Sequence, residues 1–123
     1  MIERTASDDL TQLRKGVVEF CLLAILDERP RHGYEIVARL AATDAMALSE
    51  STVYPVLARL RGKGLARVRV EPSERGPARK VIELTVAGRA RLAEWRAYWG
   101  VLARDVAALT EENVDGAERA ESD

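Results

Sequence analysis

The sequence predicts a mainly α-helical chain that carries one small β-hairpin and ends on a long helix. Three observations lead there. Apolar residues recur at helical spacing in three segments before residue 62; strict alternation appears in "ARVRV" and again in "VIELT"; and an apolar ladder with steps of three and four runs from Leu92 to Leu109. The 123 residues are enough for a single modest core and too few for a second domain. With 47% hydrophobic and 32% charged residues the balance is globular, no run is long enough to span a bilayer, and no basic-then-apolar leader opens the chain, so a cytoplasmic protein is expected.

The first helix is expected over residues 10 to 26, where Leu10, Leu13, Val17, Phe20 or Cys21, and Ala24 form a stripe. Its second half, "VVEFCLLAIL", is apolar nearly all round and should be buried. Cys21, the sole cysteine, reads as a core residue there. Pro30 and Gly33 make "DERPRHG" a turn. A short second helix follows in "GYEIVARLAA", with Tyr34, Val37, Leu40 and Ala41 on one face, and "TDAMAL" links it to a third.

The third helix has a start signal at Ser49, flanked by Leu48 and Val53 at the spacing of a hydrophobic staple. Val53, Leu57 and Leu60 form its inward stripe, leaving Ser51, Thr52, Tyr54, Pro55, Ala58, Arg59 and Arg61 outside or on the flanks. Pro55 lacks an N–H, so either Ser51 is the true cap and Pro55 lies in the first turn, or the helix bends there. Gly62 and Gly64 end it.

A hairpin comes next. Arg67 and Arg69 alternate with Val68 and Val70, "VIELT" returns with Ile82 and Leu84 inward, and "EPSERGPARK" between them projects Arg75, Arg79 and Lys80. Thr85 can cap a last helix running from about Val86 to Thr110. Charge is distributed unevenly along this half. Eight cations stand against Glu71 and Glu74 between Arg59 and Lys80, whereas seven acids face only Arg119 between Asp105 and Asp123. A basic face for a polyanion and a solvated acidic end are the physical reading.

Three helices followed by a two-stranded hairpin make the winged helix-turn-helix order. A helix fits the major groove of DNA and can show short polar and arginine side chains to base edges, while a basic hairpin reaches phosphates or the adjacent minor groove. The segments "LRKGVVEFCLLAIL", "RHGYEI", "STVYPVLARLRGKGLA" and "ARKVIELTVAGRARL", in unbroken order over roughly residues 10 to 95, resemble the PadR-like family of transcriptional regulators. That resemblance implies DNA contact by Ser51, Thr52, Tyr54, Pro55 and Arg59 in the third helix and by Arg75, Arg79 and Lys80 in the wing. It implies repression as the mode of action and a last helix that dimerises against the first helix of its partner. The family often has an aromatic residue shortly after the Arg-Lys pair, where this chain has Val81 and Ile82.

The last helix argues for a homodimer by itself. Leu92, Trp95, Trp99, Leu102, Val106 and Leu109 form a heptad seam. Burying one tryptophan removes about 150 to 250 Å² from water, worth roughly 4 to 6 kcal/mol as an upper bound. A helix of some 25 residues spans about 37 Å, longer than a small winged-helix core covers, so a second copy is the natural cover. Two copies would present two recognition helices to a palindromic double-stranded operator. The family's response to small aromatic or drug-like compounds further implies an effector site, for which Trp95 and Trp99, one turn apart, are the candidates. Residues 10–85 are thus expected to form the DNA-binding domain and 86–110 the dimerisation helix, with 1–9 and 111–123 as flexible tails.

Catalysis lacks its parts. His32 is the only histidine and reads as a turn or phosphate-side residue, no Cys or acidic cluster has metal-ligand spacing, and no glycine-rich phosphate loop follows a strand. No enzyme activity, cofactor or metal is expected. The competing expectation is a winged-helix module that binds protein instead of DNA, which would not need so many cations on the third helix and wing.

Overall fold

The computed structural model describes residues 2–112; of residues 2–9 it describes the backbone alone, and the acidic segment from residue 113 onward lies outside the described residues. The chain runs α1 (Ile2–Glu28), α2 (Gly33–Ala41), α3 (Glu50–Gly62), β1 (Ala66–Glu71), β2 (Arg79–Leu84) and α4 (Val86–Thr110). It divides into two compact units, one reaching Ala93 and the other beginning at Glu94, within α4. Among the described residues no helix is long and apolar enough to cross a membrane, and no cluster of three or more His, Cys, Asp or Glu is placed to hold a metal ion.

The first unit is a winged helix-turn-helix. α1 opens at Ile2 and not at residue 10, because "IERTASDD" is helical without any apolar periodicity to signal it. Its buried side is Val18, Leu22, Leu23, Ile25 and Leu26, which corrects the expected stripe: Leu10 and Leu13 are exposed, and Val17, Phe20, Cys21 and Ala24 are half-buried. The apolar second half offers several faces, and packing against α2, α3 and the hairpin selects one. Burial pushes the Cys21 thiol above its ordinary range.

The turn after α1 is fastened by charge. Glu28 accepts from Arg31 Nη2 at 2.7 Å and from Arg39 Nε and Nη2 at 3.3 Å, so Arg39 and then Arg31 hold its carboxyl below the usual range. Arg31 Nε also donates to the Ile25 carbonyl in the last turn of α1, where helix carbonyls lack partners. α2 buries Ile36 and Leu40 and exposes Tyr34, so of the face made by Tyr34, Val37, Leu40 and Ala41 only Leu40 is fully buried, and the buried stripe runs through Ile36. A nine-residue helix shows barely two repeats of either stripe, which is why the sequence does not separate them.

α3 buries Val53, Leu57 and Leu60 as expected, together with Val56. Leu48 and Val53 are both buried, in keeping with the staple. At its end Gly64 has φ +75°, Gly64 N–H donates to the Arg61 carbonyl at 3.0 Å, and Leu65 N–H donates to that of Leu60 at 2.9 Å. This is a Schellman ending, and buried Leu65 supplies its apolar contact.

β1 and β2 pair antiparallel in register, Ala66 with Leu84 through Glu71 with Arg79. Ala66, Val81 and Leu84 are buried and Ile82 is half-buried; Ile82 and Leu84 share a face as expected, and buried Val81 lies on the opposite one, so burial reaches both faces of β2. A two-stranded hairpin is marginal alone, and this one is held midway along β2 and at the base. Arg31 and Ile82 exchange two backbone bonds, of 3.0 and 2.8 Å, along the free edge of β2. At the base Thr85 N–H donates to the Leu65 carbonyl at 3.1 Å, and the Thr85 hydroxyl donates to the Gly64 carbonyl at 2.6 Å while accepting from Gly88 N–H at 3.0 Å, the expected cap of α4.

Within the second unit, from Glu94 to the end of α4, most side chains are exposed. Trp95, Leu102 and Ala103 are partly buried.

Candidate nucleic-acid interface

Ser49 is the N-cap of α3, in extended backbone with φ −74° and ψ 161°. Its carbonyl accepts from the N–H groups of Thr52 and Val53, and its hydroxyl turns sideways, 2.8 Å from Ser51 Oγ and 3.4 Å from Thr52 Oγ1. The alternative of Ser51 as cap is therefore set aside, and Pro55 lies inside the helix, where it has no N–H to give the Ser51 carbonyl four residues back. Three hydroxyls and one under-used carbonyl thus stand at the start of a helix whose next outward residues are Tyr54, Pro55 and Arg59. All three are exposed, as is Ser51, with Thr52 half-buried.

Tyr54 has a seat. A Cβ placed on Gly33 would lie 3.2 Å from Tyr54 Cε1, so the ring rests over the bare backbone of the first residue of α2. Beside it, Tyr34 is 60% exposed and its ring stacks on that of His32, with centroids 5.6 Å apart and planes 7° from parallel. The aromatic group His32, Tyr34 and Tyr54 was not foreseen as a unit. The signal was available in "RHGY", where a glycine flanked by two rings opens a helix, but only the fold brings Tyr54 onto it.

The wing sorts its cations into two classes. Arg67 Nε donates to Glu83 Oε1 at 2.8 Å and Arg69 Nε to Glu83 Oε2 at 3.3 Å, across the register pair Arg67 and Glu83. The hydrogen bond from Arg67 chiefly, with Arg69 adding to it, holds the Glu83 carboxyl below its ordinary range. Lys63 likewise pairs with Glu19 at 3.0 Å. Arg59, Arg61, Arg75, Arg79 and Lys80 are exposed, and among the described residues none forms a salt bridge. Arg79 and Lys80 open β2 and do not sit in the loop, so the loop itself offers only Arg75.

The expected dimer residues separate as well. Leu92 is 1% exposed within its own chain, in the first unit, which removes it from any seam with a partner. Its spacing matched the ladder because a buried residue and a seam residue obey the same period. In the second unit Trp99, Val106 and Leu109 are exposed, Leu109 at 85%, and Trp95 and Leu102 are partly buried. Tyr98 and Val101, outside the seam, are exposed too. A cleft of about 210 Å³ between α1 and α2 is lined by Cys21, Ala24, Ile25, Leu40, Met46 and the aligned Glu28–Arg39 pair, and neither Trp95 nor Trp99 lines it.

The transcriptional regulator PadR-like family matches residues 22–94, from the last turns of α1 into α4. Among solved structures, the chain is similar to a PadR-like transcriptional regulator from Bacillus cereus, with 31% identity, TM-score 0.74, and coverage of 83% of this chain and 99% of that one. A PadR family transcriptional regulator from Eggerthella lenta gives 29% identity, TM-score 0.75, and coverage of 91% and 97%. Bacillus subtilis PadR, solved in complex with operator DNA, shares the fold at 23% identity and TM-score 0.58, with coverage of 64% of this chain and 46% of that one. No curated protein matches the sequence. With a winged first unit, a long C-terminal helix and a family match over more than half its length, the chain belongs to the PadR-like family of transcriptional regulators.

Proposed function

We propose that the chain acts as a homodimeric, sequence-specific DNA-binding repressor. α3 would enter the major groove with Ser51, Thr52, Tyr54, Pro55 and Arg59 toward base edges and phosphates, and Arg75, Arg79 and Lys80 of the wing would meet the backbone alongside. The observation that carries this reading is the division among the cations. Glu83 and Glu19 occupy those that brace the fold, while five arginines and lysines on α3 and the wing remain exposed without a described carboxylate. Arginine in that state can pair bidentately with guanine or phosphate at no cost in broken ion pairs. The operator-bound Bacillus subtilis PadR shows the same fold engaged with DNA.

Trp99, Val106 and Leu109, with Leu10 and Leu13 of α1, leave apolar side chains in water that a second copy would cover. Release of the operator by a small aromatic compound held near Trp95 and Trp99 completes the proposal.

The test is selection of binding sites from a random duplex pool, followed by fluorescence anisotropy at two salt concentrations. A palindromic consensus with half-sites one helical turn or a multiple apart is expected, bound roughly a thousandfold more tightly than scrambled DNA. Equal, weak binding to every sequence would refute it and favour a protein-binding module. For the effector, phenolic acids and planar cationic drugs should quench tryptophan fluorescence and lower operator affinity together; a panel without effect removes that part of the proposal.

A further inference from the structure

His32 sits where three elements meet. It caps α2, its ring stacks on Tyr34, and its Nδ1 lies 3.0 Å from the carbonyl oxygen of Lys80, 48 residues away. A carbonyl only accepts, so Nδ1 carries the proton of this bond. The His32 side chain is 17% exposed, although the bond itself lies at the surface beside exposed Lys80.

The reason such a bond is needed lies in the strand geometry. Along an antiparallel strand, the backbone groups of alternate residues point to the same edge. Ile82 turns both of its groups toward Arg31, away from β1. Lys80, two residues earlier, presents its carbonyl to that same edge. The chain at Arg31 is extended for a single residue pair and then enters α2 at Gly33, so no backbone N–H is available to continue the ladder. The His32 side chain supplies the missing donor.

What this fixes is the basic start of β2. Arg79 and Lys80 form the end of the hairpin farthest from the Thr85 joint, where a two-stranded ribbon has most freedom to twist and splay. The residue after His32 is Gly33, the seat of Tyr54. One side chain therefore ties the cationic end of the wing to the turn that supports the central aromatic of α3.

We propose that His32 is a positioning residue for DNA binding: its Nδ1–H bond to the Lys80 carbonyl holds Arg79 and Lys80 in register with Tyr54, so that wing and recognition helix engage one duplex together. The proposal rests on the DNA-binding function proposed above.

Three variants separate this role from simple helix capping. His32→Ser keeps a favourable N-cap residue but is too short to reach Lys80; His32→Asn places an amide N–H where Nδ1–H now stands; His32→Gln displaces its amide by one methylene. Hydrogen exchange in the free protein reads the joint without DNA, and anisotropy on a random-sequence duplex, titrated with salt, reads phosphate contacts without knowledge of the operator. His32→Ser and His32→Gln should speed exchange at the amides of Val81 and Ile82 and flatten the log-log salt slope by about one to two units. His32→Asn should restore both. Wild-type-like exchange and slope in His32→Ser, or failure of His32→Asn to differ from His32→Ser, would overturn the proposal. Wild-type protein that binds no duplex would overturn the DNA-binding function itself, whereas the exchange result still decides whether His32 fastens the wing.

Discussion

Gly88→Ala offers a sharp test of how the wing is joined to α4. Gly88 is buried in the first turn of that helix, and its N–H donates to Thr85 Oγ1. A Cβ built there would fall inside the van der Waals sphere of the Leu65 carbonyl oxygen and within 3.0 Å of Leu84 Cδ2. The same carbonyl accepts from Thr85 N–H, so it cannot retreat without opening the joint. Helix propensity alone favours alanine over glycine by about 0.8 to 1 kcal/mol. Against that stand overpacking, about 1 to 3 kcal/mol, and loss of the threonine cap, about 1 kcal/mol. The net expectation is a loss of about 2 kcal/mol, or roughly 8 °C in Tm for a domain of this size. Gly100→Ala in the same helix is the control, because nothing lies within 4 Å of its Cβ position in this chain; it should gain up to about 1 kcal/mol. Urea and thermal denaturation followed by circular dichroism measure both. A Gly88→Ala protein within about 0.5 kcal/mol of wild type, the usual range for an inconsequential surface change, would refute the claim that close backbone approach requires glycine there.

Arg79→Ala and Lys80→Ala should each flatten the salt slope of DNA binding by about one unit, while Tyr54→Ala should mainly erode discrimination between operator and scrambled duplexes; both are read by anisotropy. Because the folded carboxyl of Glu83 is held below its unfolded value, its contribution to stability is full above the unfolded pKa of about 4.3 and is lost as pH falls through the folded value. Exchange at the β1 and β2 amides should therefore accelerate in that acid window, and Glu83→Gln should show the loosened wing already at neutral pH. Glu83→Gln should also raise affinity for random DNA, since Arg67 is released while Arg69 keeps only its 3.8 Å approach to Glu71. Leu109→Glu, at an exposed seam position, should dissociate the proposed dimer in sedimentation velocity and leave the circular dichroism of the first unit intact.

Much of the fold is legible because local chemistry and tertiary structure agree. Thr85 before an apolar run, Gly64 after one, and the alternation in β1 each name their element without reference to distant residues. Where the sequence falls short, the deciding contact lies far along the chain. Nothing local says that α2 buries Ile36 and not Tyr34, since both faces have the right period. Nothing local says that Leu92 belongs to the chain's own core, because the ladder that contains it continues into exposed positions. The exposure of Ser51, Tyr54, Pro55, Arg59, Arg75, Arg79 and Lys80 was legible residue by residue, but the pairing of Glu83 with Arg67 and Arg69 needs the strand register, and the bond from His32 to Lys80 needs the fold.

That pattern has a consequence for how the molecule divides its labour. The contacts that hold the wing, Arg31 with Ile82, His32 with Lys80, Thr85 with Gly64 and Leu65, use backbone groups, an imidazole and a hydroxyl, and among the described residues the hairpin's ion pairs join Arg67 and Arg69 to Glu83 and Arg69 to Glu71. The cations left over then have no structural duty. A wing braced instead by its own Arg79 or Lys80 would have to break those pairs before touching a phosphate, and the loss would oppose binding. Here the two roles fall on different residues, so they can be perturbed separately. Substitutions at Arg59, Arg75, Arg79 or Lys80 should change affinity at constant stability, and substitutions at Gly88 or Glu83 should change stability or wing order first. A free cation whose loss lowered Tm by several degrees would mean that it is engaged in the fold after all, and the separation would fail at that residue.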